Sequence, residues 1–109
     1  MTQLKQLTDL LIQFRDARDW KQFHNPKDLA LAISIESSEL LEAFLWKSAE
    51  SVTVEKVKEE IADVFAYLIM LAEHYNLDLE QIVREKVQQN EFKYPVDKAK
   101  GKSNKYNEL

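Results

Sequence analysis

Leu29-Ala30-Leu31-Ala32-Ile33-Ser34-Ile35-Glu36-Ser37-Ser38-Glu39-Leu40-Leu41-Glu42-Ala43-Phe44-Leu45-Trp46 is the stretch whose reading decides the fold. Plotted at about 100° per residue, Leu29, Ile33, Leu40 and Phe44 share one face of a helix, while Leu31, Ile35 and Leu45 lie on the opposite side. A helix apolar nearly all round must be buried on several sides. Glu36 and Glu39 interrupt it three residues apart, so both project from neighbouring turns of one side, next to the core. In a helix running from about Lys27 to Lys47, Trp46 falls on that side with them.

The flanks bound this helix and supply others. Pro26 disfavours helix at Asn25 and suits a first helical turn, which makes Asn25 a natural N-cap. Upstream, Leu4, Leu7, Leu10, Leu11 and Phe14 recur at helical spacing and predict an amphipathic helix over about Thr2 to Asp19. The connecting stretch holds Trp20 and Phe23, two large aromatics that either plug the edge of the core or face a ligand. Downstream, Ser48 to Thr53 is a polar break. A third helix follows to about Tyr75, with Val54, Val57, Ile61, Val64, Phe65, Leu68 and Ala72 on its apolar face and Glu60, Asp63 and Tyr67 along one edge. Asn76 is a plausible cap for its end, and Asp78 caps a fourth helix, Leu79 to about Asn90, with Ile82 and Val83 inward. Residues 92–109 carry one Pro and one Gly and read as an extended arm, basic because Lys93 to Lys105 includes five Lys against Asp97.

The expected fold is therefore all-α: one domain spanning residues 1–109, a four-helix bundle unit with a basic C-terminal arm. With 109 residues, a monomer offers little to cover a helix that is apolar on two sides, so a homodimer or dimer of dimers is expected. A single Gly and two Pro in the whole chain leave few of the turn residues that hairpin-rich folds need. The absence of cysteine excludes a disulfide framework, a thiolate metal site and a thiol nucleophile. No run reaches the roughly 18 apolar residues of a membrane span, and no signal-peptide core precedes the first helix, so a soluble cytoplasmic protein without a membrane partner is expected. A net charge of −4 argues against binding a nucleic-acid polymer.

The acids carry the chemistry. Glu36 with Glu39, and Glu60 with Asp63, form two pairs spaced i, i+3 on successive helices, a local pseudo-symmetry that suits a cation between them. Two like charges about 5 Å apart at an effective dielectric of about 20 repel by roughly 3 kcal/mol, so gathering four favours a bound cation. Carboxylates without His or Cys suit Mg2+, with Mn2+ as a substitute, rather than Zn2+ or copper. Neither His24 nor His74 follows a Glu by three, as a di-iron bundle requires. Mg2+ completes its shell with waters and substrate phosphates, so phosphate ester or anhydride hydrolysis follows. The contrasting reading is a non-catalytic helical oligomerisation module whose acids are simply solvated.

Four segments in order carry a family resemblance: Arg18-Asp19-Trp20 with Gln22-Phe23-His24 and Pro26; Glu36, Glu39-Leu40, Glu42, Phe44 and Trp46; Glu59-Glu60-Ile61-Ala62-Asp63-Val64 with Tyr67; and Asn90 with Lys93-Tyr94-Pro95. Together they resemble the MazG-type all-α nucleotide pyrophosphohydrolases, nearest to the dCTP pyrophosphatase branch. The resemblance implies Mg2+-dependent cleavage of a nucleoside triphosphate, dCTP first and dUTP, dATP or a modified nucleotide as alternatives, to the monophosphate and pyrophosphate. It implies Glu36, Glu39, Glu60 and Asp63 as metal ligands, with Glu39 or Glu36 handling the attacking water. Trp20, His24, Trp46 and Tyr67 would meet base and sugar, with Lys21, Gln22 and Phe23 in the same substrate-binding stretch. Asn90, Lys93 and Tyr94 would approach the phosphates or the far wall of the pocket. Ser38 departs from the family, which often has Gly there; the change is mild on a helix.

Overall fold

The computed structural model describes residues 2–109, and among them every regular element is helical. The order is α1 (Gln3–Ala17), a 3-10 turn (Lys21–Phe23), α2 (Pro26–Glu42), α3 (Val54–His74), α4 (Leu79–Lys93), α5 (Val96–Ala99) and a last 3-10 turn (Tyr106–Glu108). The chain divides into two compact units at Leu77/Asp78.

In the first unit, local chemistry sets the helix ends. Thr2 Oγ1 accepts from the Lys5 amide at 3.1 Å and starts α1. The helix closes where Asp19 turns left-handed (φ 55°), letting the Trp20 amide reach back to the Arg15 carbonyl and the Asp19 amide to that of Asp16. This six-to-one and five-to-two pair is the Schellman arrangement. Asn25 caps α2 through the Asp28 amide at 2.9 Å, with Pro26 at the first helical position. At the end of α3 the same closure recurs on Asn76 (φ 54°): the Leu77 amide donates to the Ala72 carbonyl at 2.9 Å and the Asn76 amide to Glu73 at 3.0 Å.

Helix α2 is shorter than its pattern suggests. From Ala43 onward the amides bond three residues back, Phe44 to Leu41 and Leu45 to Glu42, and Trp46 adopts a left-handed φ of 61°. The tightened turns take Leu45 and Trp46 off the helix, so Trp46 does not share a helical side with Glu36 and Glu39 as its spacing predicted.

Helix α3 packs mainly against α2 and, less extensively, against α1. Leu29 and Ala43 from the α2 segment and Ile69, Met70 and Ala72 from α3 form the buried core. Each large side chain of this kind contributes about 1.5–3 kcal/mol on full burial. The second apolar side of α2 stays open within one chain: Leu31 and Ile35 are exposed, as are Ile61, Phe65 and Leu68 of α3.

The second unit contains α4, three residues longer than expected, capped by Asp78 through the Gln81 amide at 3.2 Å. The expected four-helix unit thus appears as three long helices in the first unit and α4 in the second. Residues 92–109 are not a simple extended arm. They hold the end of α4, the short α5 and the final 3-10 turn, where Tyr94 meets Tyr106 edge-on at 6.2 Å and the Lys93 ammonium lies 4.9 Å from the Tyr106 ring centroid.

Candidate metal and substrate site

Packing of α2 on α3 brings three carboxylates together. Glu36 is half-buried, Glu60 is buried at 3% exposure and Asp63 is exposed, yet one oxygen from each lies within 4.8 Å of the others. The i, i+3 spacing puts Glu60 and Asp63 on one edge of α3.

This concentration of charge is only partly answered by the protein. Oε1 of Glu60 accepts from the Lys56 ammonium at 2.9 Å, one helical turn earlier, whereas its Oε2 and the Oε2 of Glu36 are buried without any hydrogen-bond partner. Burial, then hydrogen bonding with Glu39, then the charges of Glu39, Asp63 and Glu60 push the Glu36 carboxyl up to about 7. Orphaned carboxylate oxygens inside a protein are costly, and an all-oxygen donor set is what a hard divalent cation takes. The residues present therefore fit Mg2+ or Mn2+.

Glu39 is not the fourth member of the group at that distance. It lies near enough to Glu36 for its charge to act on that carboxyl, and it lines a cavity of about 590 Å³ shared with Glu42, Ala43, Lys47, Thr53 and Lys56. Tyr67, one turn beyond Asp63, is half-buried; burial and then the charges of Glu36 and Asp63 raise its hydroxyl above the ordinary tyrosine range. Its ring meets His24 edge-on at 6.4 Å. His24 has an unpartnered buried Nδ1, and burial followed by the Arg15 charge lowers its pKa, which favours the neutral imidazole. His24, Lys21 and Gln22 also border a second cavity, about 380 Å³, with Arg15, Met70 and Glu73 among its other walls.

The remaining expected substrate residues divide between the two units. Trp20 is half-exposed against Phe14 (5.7 Å, edge-on), with the Arg18 guanidinium 3.7 Å from the Phe14 centroid. Phe23 is exposed, and Gln22 donates to the Asp19 carbonyl and carboxylate. Trp46 is 94% exposed. Asn90, Lys93 and Tyr94 belong to the second unit, where the Tyr94 amide bonds the Asn90 carbonyl at 2.7 Å.

Arg15 was missed by the sequence reading. It is buried, pairs with Asp16 at 2.9 Å and reaches Glu73 of α3 at 3.6 Å. A signal existed: Arg15 falls one turn after Leu11, on the apolar stripe of α1, where a surface charge is out of place.

Comparison with known proteins points the same way. Residues 31–109 match the model of the MazG-like family. The chain is 37% identical to dCTP pyrophosphatase 1 of Mus musculus over 114 residues, covering 97% of this chain and 67% of that protein. It is 36% identical to dCTP pyrophosphatase 1 of Homo sapiens, with the same 97% and 67% coverage. A pyrophosphatase from Archaeoglobus fulgidus of known crystal structure superposes with a TM-score of 0.81 at 40% identity, over 87% of this chain and 94% of that one. No helix among the described residues is long and apolar enough to cross a membrane.

Proposed function

The chain belongs to the MazG-like family, and from that premise we propose that its carboxylate cluster is the centre of a Mg2+-dependent nucleoside triphosphate pyrophosphohydrolase, with dCTP the substrate of first choice. The observation that carries the proposal is the pair of buried, unpartnered oxygens on Glu36 and Glu60, facing a third carboxylate on Asp63. Such a group is intolerable in a dry interior unless a cation or protons answer it.

Glu36, Glu60 and Asp63 would hold the metal, with Glu39 completing the set or remaining free beside it. Bound there, Mg2+ supplies charge neutralisation for the triphosphate and a template for its orientation. Glu39, outside the tight group but close enough for its charge to act on Glu36, would accept a proton from the attacking water on a carboxylate oxygen. Water adds across the bond between the α- and β-phosphates, and dCTP leaves as dCMP and pyrophosphate. Tyr67 and neutral His24, in edge contact next to the cluster, form the side of the site best suited to base and sugar. His24 offers a hydrogen-bonding edge rather than a charge, as selection of one base over others requires. Trp20, Lys21, Gln22, Phe23, Trp46, Asn90, Lys93 and Tyr94 remain proposed substrate contacts.

The open apolar side of α2 supports assembly as a homodimer or dimer of dimers. Leu31 and Ile35 are exposed at 51% and 59%, one turn apart, and leave an apolar strip that a second copy would cover. Incubation of the purified protein with each dNTP and Mg2+, with detection of released pyrophosphate, tests the catalytic reading. The expected result is turnover of dCTP that Glu60→Gln or Asp63→Asn abolishes; a folded, metal-binding protein that turns over no dNTP overturns it.

A further inference from the structure

We propose that Lys56 is a displaceable counter-ion, which leaves Glu60 when a divalent cation enters and then anchors, with Lys47, the pyrophosphate end of the substrate. The inference rests on the metal site argued above and assigns a place for the part of the triphosphate that departs.

Glu60 is nearly sealed from water, and a buried carboxylate needs a positive partner. Lys56 provides one, but on a single oxygen; the other has none. Lys56 itself is not buried: its side chain is 51% exposed, on a four-carbon stem that can swing without disturbing the helix. The bond is therefore a half-measure, a single charge that answers one of the two Glu60 oxygens.

The place to which Lys56 can swing is already shaped. Lys56 lines the cavity of about 590 Å³ whose other charged walls are Lys47, Glu39 and Glu42. Pockets of roughly 300–1,000 Å³ hold small ligands, so pyrophosphate fits with water to spare. Without metal, two ammonium groups face two carboxylates, and Lys56 is engaged by Glu60; such a cavity has no net attraction for an anion. A divalent cation taken up by Glu60 and its neighbours reverses that balance by releasing Lys56 and drawing on the charge of the adjacent Glu39. The cavity then presents two cationic side chains, and the Thr53 hydroxyl, which makes no capping bond to α3, stands beside them. Phosphate binding is thereby conditional on the metal, and a metal-free enzyme does not trap pyrophosphate.

An ordinary surface pair between residues i and i+4 would have neither consequence. The two readings separate in binding experiments on the whole chain that need no turnover: Mn2+ affinity by paramagnetic resonance or calorimetry, then pyrophosphate affinity with and without Mg2+. Lys56→Met should bind Mn2+ about three- to tenfold more tightly, because a competing cation is removed, yet bind pyrophosphate in the presence of Mg2+ about fivefold or more weakly. Lys56→Arg, which keeps the charge, should stay near wild type in both. Lys47→Met should weaken pyrophosphate alone, leaving Mn2+ affinity within about twofold. Helical circular dichroism checks folding, and Lys56→Gln serves as a second neutral variant. Mn2+ affinity that is unchanged or weaker in both neutral variants, or pyrophosphate affinity that is unchanged, overturns the inference while leaving the metal site intact. A wild-type protein that takes up no Mn2+ overturns both.

Discussion

Replacing Glu36 by Gln should stabilise the metal-free protein at alkaline pH and at the same time remove its response to Mg2+. Oxygens of Glu36, Glu60 and Asp63 lie within 4.8 Å of one another. At an effective dielectric of about 20, a like-charged pair at that distance costs roughly 3.5 kcal/mol, and Glu36 takes part in two such pairs. Burial and these neighbours push the Glu36 carboxyl up to about 7 from 4.5, so below that pH a proton on Glu36 relieves the repulsion. Between those two values the folded chain holds a proton that the unfolded chain has released, so wild-type stability falls as pH rises across the window. At pH 8 the carboxyl is mostly ionised, and after solvent screening the residual penalty is about 1–2 kcal/mol, or about 4–10 °C in melting temperature for a domain of this size. Glu36→Gln carries no such slope. Thermal melts in chelator at pH 5 and pH 8 should show the variant near wild type at pH 5 and above it at pH 8. Added Mg2+ should raise the wild type by mass action, about 2.7 kcal/mol at a hundredfold excess over Kd, and leave the variant unmoved. A variant melting below wild type at pH 8, or a wild type indifferent to Mg2+, would refute the reasoning.

Other outcomes follow from single residues. Leu29→Ala, at a position only 2% exposed between α2 and α3, should cost about 2–5 kcal/mol in denaturant unfolding; a loss under about 1 kcal/mol would mean that this contact is not the core. Trp46→Ala, at 94% exposure, should change stability by less than about 0.5 kcal/mol yet raise KM for dCTP about tenfold, the loss of one stacking partner; an unchanged KM removes Trp46 from the substrate contacts. Asn76→Val forces a β-branched residue to a φ of 54° and should destabilise by about 1–3 kcal/mol, whereas Asn76→Gly should be neutral or slightly stabilising in the same melt.

Much of the fold was legible because helical periodicity and capping chemistry are local. Thr2, Asn25 and Asp78 begin their helices through the side-chain bonds their residue types favour, and Asn76 closes α3 in the left-handed turn that Asn tolerates. The placing of Glu60 and Asp63 on one edge of α3 is likewise a matter of spacing. Other features are tertiary. Nothing in the apolar run of α2 marks Ala43 as the place where its hydrogen bonding tightens, so periodicity alone extends the helix past its end to Trp46. The burial of Arg15 depends on Glu73 from another helix, and its position on the α1 stripe is a clue only in retrospect. The lysines of the tail suggest an extended arm and obscure a packing motif, Tyr94 and Lys93 against Tyr106, that forms only when the chain turns back on itself.

The two tryptophans occupy unlike surroundings: Trp20 leans on Phe14 with the Arg18 guanidinium 5.9 Å from its ring, while Trp46 stands in solvent on a left-handed backbone. The protein therefore carries its own pair of optical reporters, one fully hydrated and emitting to the red, the other partly shielded. Quenching of the red component as nucleotide is added would register occupancy at Trp46 without any label, and a Trp46→Phe chain would leave Trp20 to signal movement of the turn after α1 separately.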